Sequence, residues 1–96
     1  MKLRLTPDAA DDLREAIEWL GERSPSLPSR FGEVLDHALH LIDEHPEMYP
    51  VVHRRFRRAL IKTFPWAVFY TIEGESIVVH AIVHHARHPS VWMRRP

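Results

Sequence analysis

Four side chains in the second half of the chain could act together on a phosphate ester: Arg58, His84, His85 and Arg87. Histidine titrates near neutral pH, so His84 or His85 could take the proton of a ribose 2′-hydroxyl or protonate the leaving 5′-oxygen. Arginine binds phosphate with a forked guanidinium group and would stabilise the charge of the transition state. These are the groups that metal-free RNA cleavage requires. The alternative is structural, with a buried, hydrogen-bonded His84 at a strand end and arginines that hold turns.

The two arginines are expected to lie close together. Arg58 lies on the first of three predicted consecutive strands, and Arg87 follows the last of them. Adjacent antiparallel strands are about 4.8 Å apart. Two guanidinium groups at neighbouring strand ends can therefore converge on one anionic group, either a phosphate or a carboxylate.

The densest run of positive charge is Arg54-Arg55-Phe56-Arg57-Arg58. It could bind phosphate or an acidic protein partner. Strand alternation would place Arg55 and Arg57 on one face and Arg54 and Arg58 on the other, which divides the patch. The alternative is an edge strand whose charges prevent aggregation. A second basic contact surface is predicted in the C-terminal tail, which contains Trp92, Arg94 and Arg95.

Charge is distributed unevenly although the formal net charge is +0. Residues 1–48 contain five Lys and Arg against eleven Asp and Glu, and residues 49–96 contain eight against two. The resulting charges of −6 and +6 favour a basic surface that meets an acidic partner. Acid-rich, solvated helices next to a basic sheet would account for the same distribution.

The length of 96 residues predicts a single domain spanning residues 1–96. No cysteine is present, which excludes disulfides and thiolate metal sites. His80 and His84 lie four residues apart on one predicted strand, about 13 Å at the rise of a strand, so they cannot share a zinc ion. No metal or cofactor is therefore predicted. The sequence contains neither a signal-peptide pattern nor a membrane-spanning segment, and a cytoplasmic location is expected.

Apolar periodicity predicts an α+β domain of order β-α-α-β-β-β, with an antiparallel sheet and a two-helix hairpin on one face. Thr6-Pro7-Asp8 is a helix start, and a serine near Pro28 is expected to cap the second helix, which ends before Pro46. Trp19 lies off the apolar stripe of the first helix, either as a residue at the rim of the core or as an interface anchor. The predicted strands are Lys2–Leu5, Phe56–Ile61, Trp66–Ile72 and Ser76–His84, the last of them central.

Two segments carry a resemblance to a known superfamily. The segment from Arg58 to Tyr70, RALIKTFPWAVFY, contains an arginine on a strand, a Phe-Pro-aromatic turn and an apolar strand that ends in tyrosine. The C-terminal segment HHARHPSVW, from His84 to Trp92, follows the apolar strand that contains Ile77-Val78-Val79. This ordered set, which covers nearly the whole chain, resembles the RelE/ParE toxin superfamily.

The resemblance implies that the chain is the toxin of a type II toxin–antitoxin system and is silenced by a cognate antitoxin. The Phe64-Pro65-Trp66 turn and the Arg-His-Pro…Trp ending are more similar to ParE-like toxins, which poison DNA gyrase and are not known as nucleases. RelE-like toxins instead cut mRNA on the ribosome. Apart from Lys2 this chain has one lysine, Lys62, and it lacks a C-terminal tyrosine, so it departs from the RelE pattern. An inactive homologue that only binds antitoxin is the third possibility, and enzymatic activity stays open.

The resemblance assigns possible roles to particular residues. The catalytic candidates, for a ribonuclease, are Arg58, Arg87, His84 and His85. The candidates for contact with the target or the antitoxin are Arg55, Arg57, Arg58, Arg87, Trp92, Arg94 and Arg95.

Overall fold

The first half of the chain forms one strand and two helices, and most of the sheet comes from the second half. The structure is a computed structural model that describes residues 2–85, 90–93 and 95. Its elements are β1 (Lys2–Leu5), α1 (Pro7–Arg23), α2 (Leu27–Glu44), β2 (Val51–His53), β3 (Phe56–Leu60), β4 (Trp66–Glu73), β5 (Ser76–His84) and α3 (Ser90–Met93). The predicted α+β fold is confirmed. Strand β2 and helix α3 were not predicted.

Local chemistry explains where the helices begin and end. The Thr6 hydroxyl accepts a hydrogen bond from the Ala9 N–H at 3.1 Å, and Pro7 occupies the first turn of α1, as predicted. Helix α2 also has a proline in its first turn, and Ser26 occupies the N-cap position, as predicted, but its side chain does not cap the helix. Ser26 makes no capping hydrogen bond, and its hydroxyl lies 3.2 Å from that of Ser24. Its backbone is helical, whereas a capping side chain needs an extended backbone to reach back to the helix.

The five strands form one sheet in the order β1-β5-β4-β3-β2. Neighbouring strands are antiparallel except for β1 and β5, which are parallel, so the predicted antiparallel sheet is in fact mixed. The unpredicted strand β2 accounts for this difference. Short connections reverse the chain at each element, and one additional reversal at β2 makes β5 run in the same direction as β1. Strand β5 is central, as predicted, since β1 and β4 flank it.

Both faces of β4 and β5 are covered. On one face the helices contribute Phe31, Leu35 and Ile42 to a core that also contains Trp66 and Tyr70. The other face carries a smaller apolar cluster made by Ala67, Phe69, Ala81, Val83 and Trp92. The near-continuous apolar sequence of β5 reflects this double burial.

Two side chains hold the connection between α2 and β2. The Tyr70 hydroxyl donates to the Pro46 carbonyl at 2.6 Å, and the Arg57 guanidinium donates to the carbonyls of Glu47 and Tyr49 at 3.1 and 2.6 Å. Burial raises the pKa of Tyr70 to about 12, so the hydroxyl stays a donor over the physiological range. Irregular backbone next to a core needs such partners for its carbonyl groups.

Asp12 satisfies backbone groups that β1 does not reach. Strand β1 pairs with β5 only as far as Val79, although β5 continues to His84. The buried Asp12 carboxylate accepts the Ile82 N–H at 3.0 Å and two hydrogen bonds from Arg95, at 2.7 and 2.8 Å. Arg95 also donates to the His80 carbonyl at 3.1 Å. The Asp12–Arg95 ion pair thus supplies hydrogen-bond partners that a neighbouring strand would otherwise give to this part of β5. Within the described residues, no helix has the length and apolarity needed to cross a membrane.

We expect Asp12→Ala to lower the free energy of unfolding by about 2–3 kcal/mol, because it leaves the Ile82 N–H and the Arg95 guanidinium without their acceptor. The matched control is Asp11→Ala, which removes an exposed pair with Arg14 and should cost less than about 1 kcal/mol. Urea denaturation of both variants measures the difference. Equal losses would show that the buried pair contributes no more than a surface pair.

Candidate functional site

Three of the four predicted catalytic residues line one cleft. Arg58, His84 and His85 surround a space of about 210 Å³ together with His53, which the sequence analysis did not select. We call this space the histidine–arginine cleft. The other described residues that line it are apolar: Val52, Phe69 and Met93. The fourth predicted residue, Arg87, lies outside the described residues, so its convergence with Arg58 stays a prediction.

Strand pairing places these side chains. Arg58 pairs in register with Phe69 of β4, which pairs with Ala81 of β5, so Arg58 lies on the face of the sheet opposite the helices. At the end of β5 the His85 N–H donates to the Pro65 carbonyl at 2.8 Å. The rings of His84 and His85 stack with centroids 5.3 Å apart and planes 16° apart. The strand ends here, so two consecutive histidines can lie side by side rather than on opposite faces.

His53 enters the cleft through the β2–β3 hairpin. The turn contains Arg54 and Arg55, and Arg54 has a positive φ of 51°. Such a backbone usually requires glycine or asparagine, and neither is present at this turn. The segment Val51-Val52-His53 is also too short to show alternation. The sequence therefore carried no strong sign of this hairpin or of His53.

The described lining of the histidine–arginine cleft has no carboxylate. The Arg58 side chain makes no hydrogen bond or ion pair with any described residue, and its backbone N–H donates to the Pro50 carbonyl at 3.1 Å. One permanent positive charge and three imidazoles thus face a partly apolar space. Such a set favours an anionic ligand, and acid–base chemistry by the histidines is compatible with it.

The other arginines of the basic run have different partners. Arg57, a predicted binding residue, points towards the α2–β2 connection and is engaged by the two carbonyls described above. Arg55 is exposed and lies 3.8 Å from the Glu73 carboxylate. Both Arg54 and Arg55 belong to the turn, so the predicted strand alternation is wrong for them. It is right for Arg57 and Arg58, which lie on opposite faces.

The predicted C-terminal contact residues are largely engaged within the domain. Trp92 is 2% exposed, and its ring lies 4.3 Å from that of Phe69 and 5.3 Å from that of Phe56. It is a core residue, because it covers the apolar face of the sheet that the helices leave open. Arg95 binds Asp12, and its pKa is raised mainly by that hydrogen bond. Arg94 lies outside the described residues.

A second cleft, of about 300 Å³, lies between α1 and the end of β5. We call it the α1–β5 cleft; it is lined by Asp12, Glu15, Ala16, Trp19, Trp66, Ile82, Val83 and His84. Trp19 is 44% exposed and meets Trp66 edge-on at 5.8 Å, while the Arg23 guanidinium lies 3.3 Å from its ring centre. Trp19 therefore packs at the rim of the core and also presents an open aromatic surface. The two clefts adjoin at His84.

His80 is part of a hydrogen-bonded network and not of either cleft. The Thr71 hydroxyl donates to Glu73 at 2.7 Å, so it must accept from Nε2–H of His80, at 2.9 Å. Burial lowers the pKa of His80, and the nearby Arg55 and Arg4 lower it further against the opposing charge of Glu73. The Thr71 hydrogen bond lowers the pKa of Glu73. Among the described residues, no group of three or more His, Asp or Glu side chains could hold a metal ion.

Comparison with known proteins agrees with this geometry. The profile of a family described as the ParE toxin of the type II toxin–antitoxin system, parDE, matches residues 3–89. A solved structure of the chromosomal ParDE TA system from P. aeruginosa is similar, with a TM-score of 0.67 and 16% identity over 88% of this chain and 95% of that chain. At that identity it supports the fold alone. A search of curated proteins found no match.

The lowered pKa of His80 predicts a pH-dependent stability. The unfolded state, with an ordinary histidine pKa near 6.5, takes up a proton more readily than the folded state. Stability is therefore fully present above about pH 6.5 and falls as the pH drops towards the lower pKa of the folded state. Urea unfolding between pH 8 and 5 should show a smaller loss for His80→Gln, which keeps an N–H donor for Thr71. The prediction is wrong if wild type and variant lose stability equally, or if an NMR titration places the His80 pKa above 6.5.

Proposed function

Since the chain belongs to the ParE toxin family of type II toxin–antitoxin systems, we propose that it arrests bacterial growth by binding DNA gyrase and that a cognate antitoxin neutralises it. The family match over residues 3–89 is the observation that carries this proposal. We also propose a cytoplasmic location. Protein–protein inhibition needs no catalytic residues, and Arg54, Arg55 and Arg58 are exposed and could contact a target.

We assign antitoxin binding to the α1–β5 cleft. It combines an exposed tryptophan with an edge of β5 that β1 leaves uncovered beyond Val79. An exposed aromatic ring beside an apolar recess is the usual form of a binding hot spot. The exposed face of α1 is acidic around the cleft, with Glu18 next to Trp19 in sequence and Glu15 about one helical turn before it. The antitoxin segment is therefore expected to insert an apolar side chain next to Trp19 and to place cationic residues along α1.

We assign target contact to the β2–β3 hairpin, at the edge of the sheet away from β1. The side chains of Arg54, Arg55 and Arg58 in the β2–β3 hairpin are exposed to solvent. The same hairpin also exposes two apolar side chains, Val51 and Val52, which are 50% and 40% exposed. A mixed basic and apolar surface of this kind suits an acidic protein partner. Placing the two contacts on different surfaces would let antitoxin affinity and toxicity be separated by mutation.

One observation favours the second candidate function, cleavage of mRNA on the ribosome. Arg58, His84 and His85, which metal-free cleavage would require, lie around a single cleft with His53. A homologue that binds antitoxin without being toxic is the third candidate. The three are distinguished by what stops when the toxin is expressed alone.

The first test of the proposal concerns Trp19. Replacing Trp19 with Ser should weaken antitoxin binding by at least about 30-fold, the effect of losing a binding hot spot, with a small change in melting temperature. The matched control is Ile17→Ser, at a residue of the same helix that is 38% exposed but does not line the cleft. Calorimetry with the antitoxin encoded beside this chain measures both affinities. Equal weakening by the two variants would show that the antitoxin binds another part of α1.

The second test identifies the target. Expression without antitoxin should make cells filament and induce the DNA-damage response while radiolabelled amino-acid incorporation continues, and the purified chain should inhibit DNA supercoiling by gyrase. An immediate stop in incorporation together with cleaved mRNA would replace the gyrase proposal with the ribonuclease candidate. Normal growth despite tight antitoxin binding would support the inactive homologue.

A further inference from the structure

The charge around the histidine–arginine cleft is of one sign. Its described polar lining comprises the Arg58 guanidinium and the imidazoles of His53, His84 and His85. Arg58 comes from β3 and His53 from β2, while His84 is the last residue of β5 and His85 follows it, so three strands contribute. The fold brings these groups together although 32 positions separate His53 from His85. A space surrounded in this way attracts a compact anion.

Arg58 differs from the arginines that the fold uses for its own stability. The guanidinium of Arg57 is bonded to two carbonyls, and that of Arg95 is bonded to a buried carboxylate. Arg58 has no such contact with the described residues, so its forked donors can face a ligand. A guanidinium matches the oxygen atoms of a phosphate in geometry as well as in charge.

The cleft is also partly formed in advance. The His85 backbone is tied to Pro65, its ring stacks on His84, and the His84 ring lies 5.1 Å from that of Trp66. Phe69, which is 7% exposed, closes the base beside Arg58. Little ordering is then needed when a ligand binds.

We propose that the histidine–arginine cleft binds a phosphate group, with Arg58 as the charged ligand and the imidazoles of His53 and His85 as additional hydrogen-bond donors. The phosphate arrives either in the backbone of a nucleic acid or as a free phosphate. The site adds an anion contact to a chain whose proposed target is a protein, and it does not require that target to be gyrase.

The first experiment uses inorganic phosphate. Titration of the ¹⁵N-labelled chain, at an ionic strength held constant with chloride, should give saturable shifts at Arg58 Nε–H and at the His85 amide. Arg58→Gln should weaken phosphate binding about tenfold, which is the effect of losing one charge-assisted hydrogen bond. Arg54→Gln is the matched control, because it removes the same charge from the same hairpin at an exposed residue that does not line the cleft. It should leave the affinity within about twofold.

The second experiment identifies the source of the phosphate. Anisotropy of a labelled single-stranded DNA, compared with the same sequence carrying uncharged methylphosphonate linkages, measures binding to the backbone. If the ligand is a nucleic acid, the strand with charged phosphates binds more tightly than the methylphosphonate strand. Arg58→Gln should then reduce the magnitude of the slope of log association constant against log salt concentration by about 0.7. If inorganic phosphate gives saturable chemical-shift changes but the two strands bind equally, the ligand is a free phosphate.

Two results would overturn the proposal. One is the absence of saturable shifts at constant ionic strength. The other is equal weakening by Arg54→Gln and Arg58→Gln, which would indicate general charge attraction. In the first case, an acidic peptide titrated under the same conditions would assign the cleft to a protein carboxylate if it shifts Arg58. Because both experiments use the isolated chain, their failure leaves the antitoxin and gyrase tests unaffected.

Discussion

Strand β5 has both faces buried, and the rest of the fold supplies its apolar contacts and the partners of its backbone groups. Its first half lies between β1 and β4, but β1 ends opposite Val79 and the second half has a strand on one side alone. On the other side, the Asp12 carboxylate accepts a hydrogen bond from the Ile82 N–H, and the Arg95 guanidinium donates one to the His80 carbonyl. A buried carboxylate is costly without a partner, so the Asp12–Arg95 pair couples α1, the edge of β5 and the C-terminal segment. Stability of the domain therefore depends on contacts between residues 83 positions apart.

The end of β5 also determines where ligands can bind. Once the strand is free of β1, its last residues border a cleft on the α1 side, and His84 belongs to this cleft and to the histidine–arginine cleft. The first is bordered by carboxylates and tryptophans, and the second by arginine and histidines. A difference in charge along the sequence thus becomes a difference between two adjoining surfaces. Such a surface pair suits a protein that has to bind two partners of different chemistry.

The arginines show how little residue type alone says about function. Arg57 and Arg58 are neighbours in sequence, yet one supports the backbone between α2 and β2 and the other faces an open cleft. Strand geometry sends consecutive side chains to opposite faces, and each face offers different partners. The same holds for the C-terminal segment. From the sequence, Trp92 and Arg95 are predicted to be contact residues, but in the structure Trp92 covers the apolar face of the sheet and Arg95 binds Asp12.

The sequence by itself determined the order of the main elements, the cap of α1, the central position of β5 and the resemblance to a toxin family. These features rest on local chemistry and on periodicities that short segments carry. It also selected Arg58, His84 and His85, since their residue types suit an anion. Only the tertiary structure decided that β1 is parallel to β5. The β2–β3 hairpin adds the extra chain reversal, and the sequence gives no sign of it because its turn contains an arginine with positive φ where glycine or asparagine is usual. The tertiary structure likewise brought His53 into the cleft, engaged the side chains of Arg57 and Trp92 within the domain, and opened the cleft beside Trp19. Each of these depends on partners distant in sequence, and no local pattern specifies them.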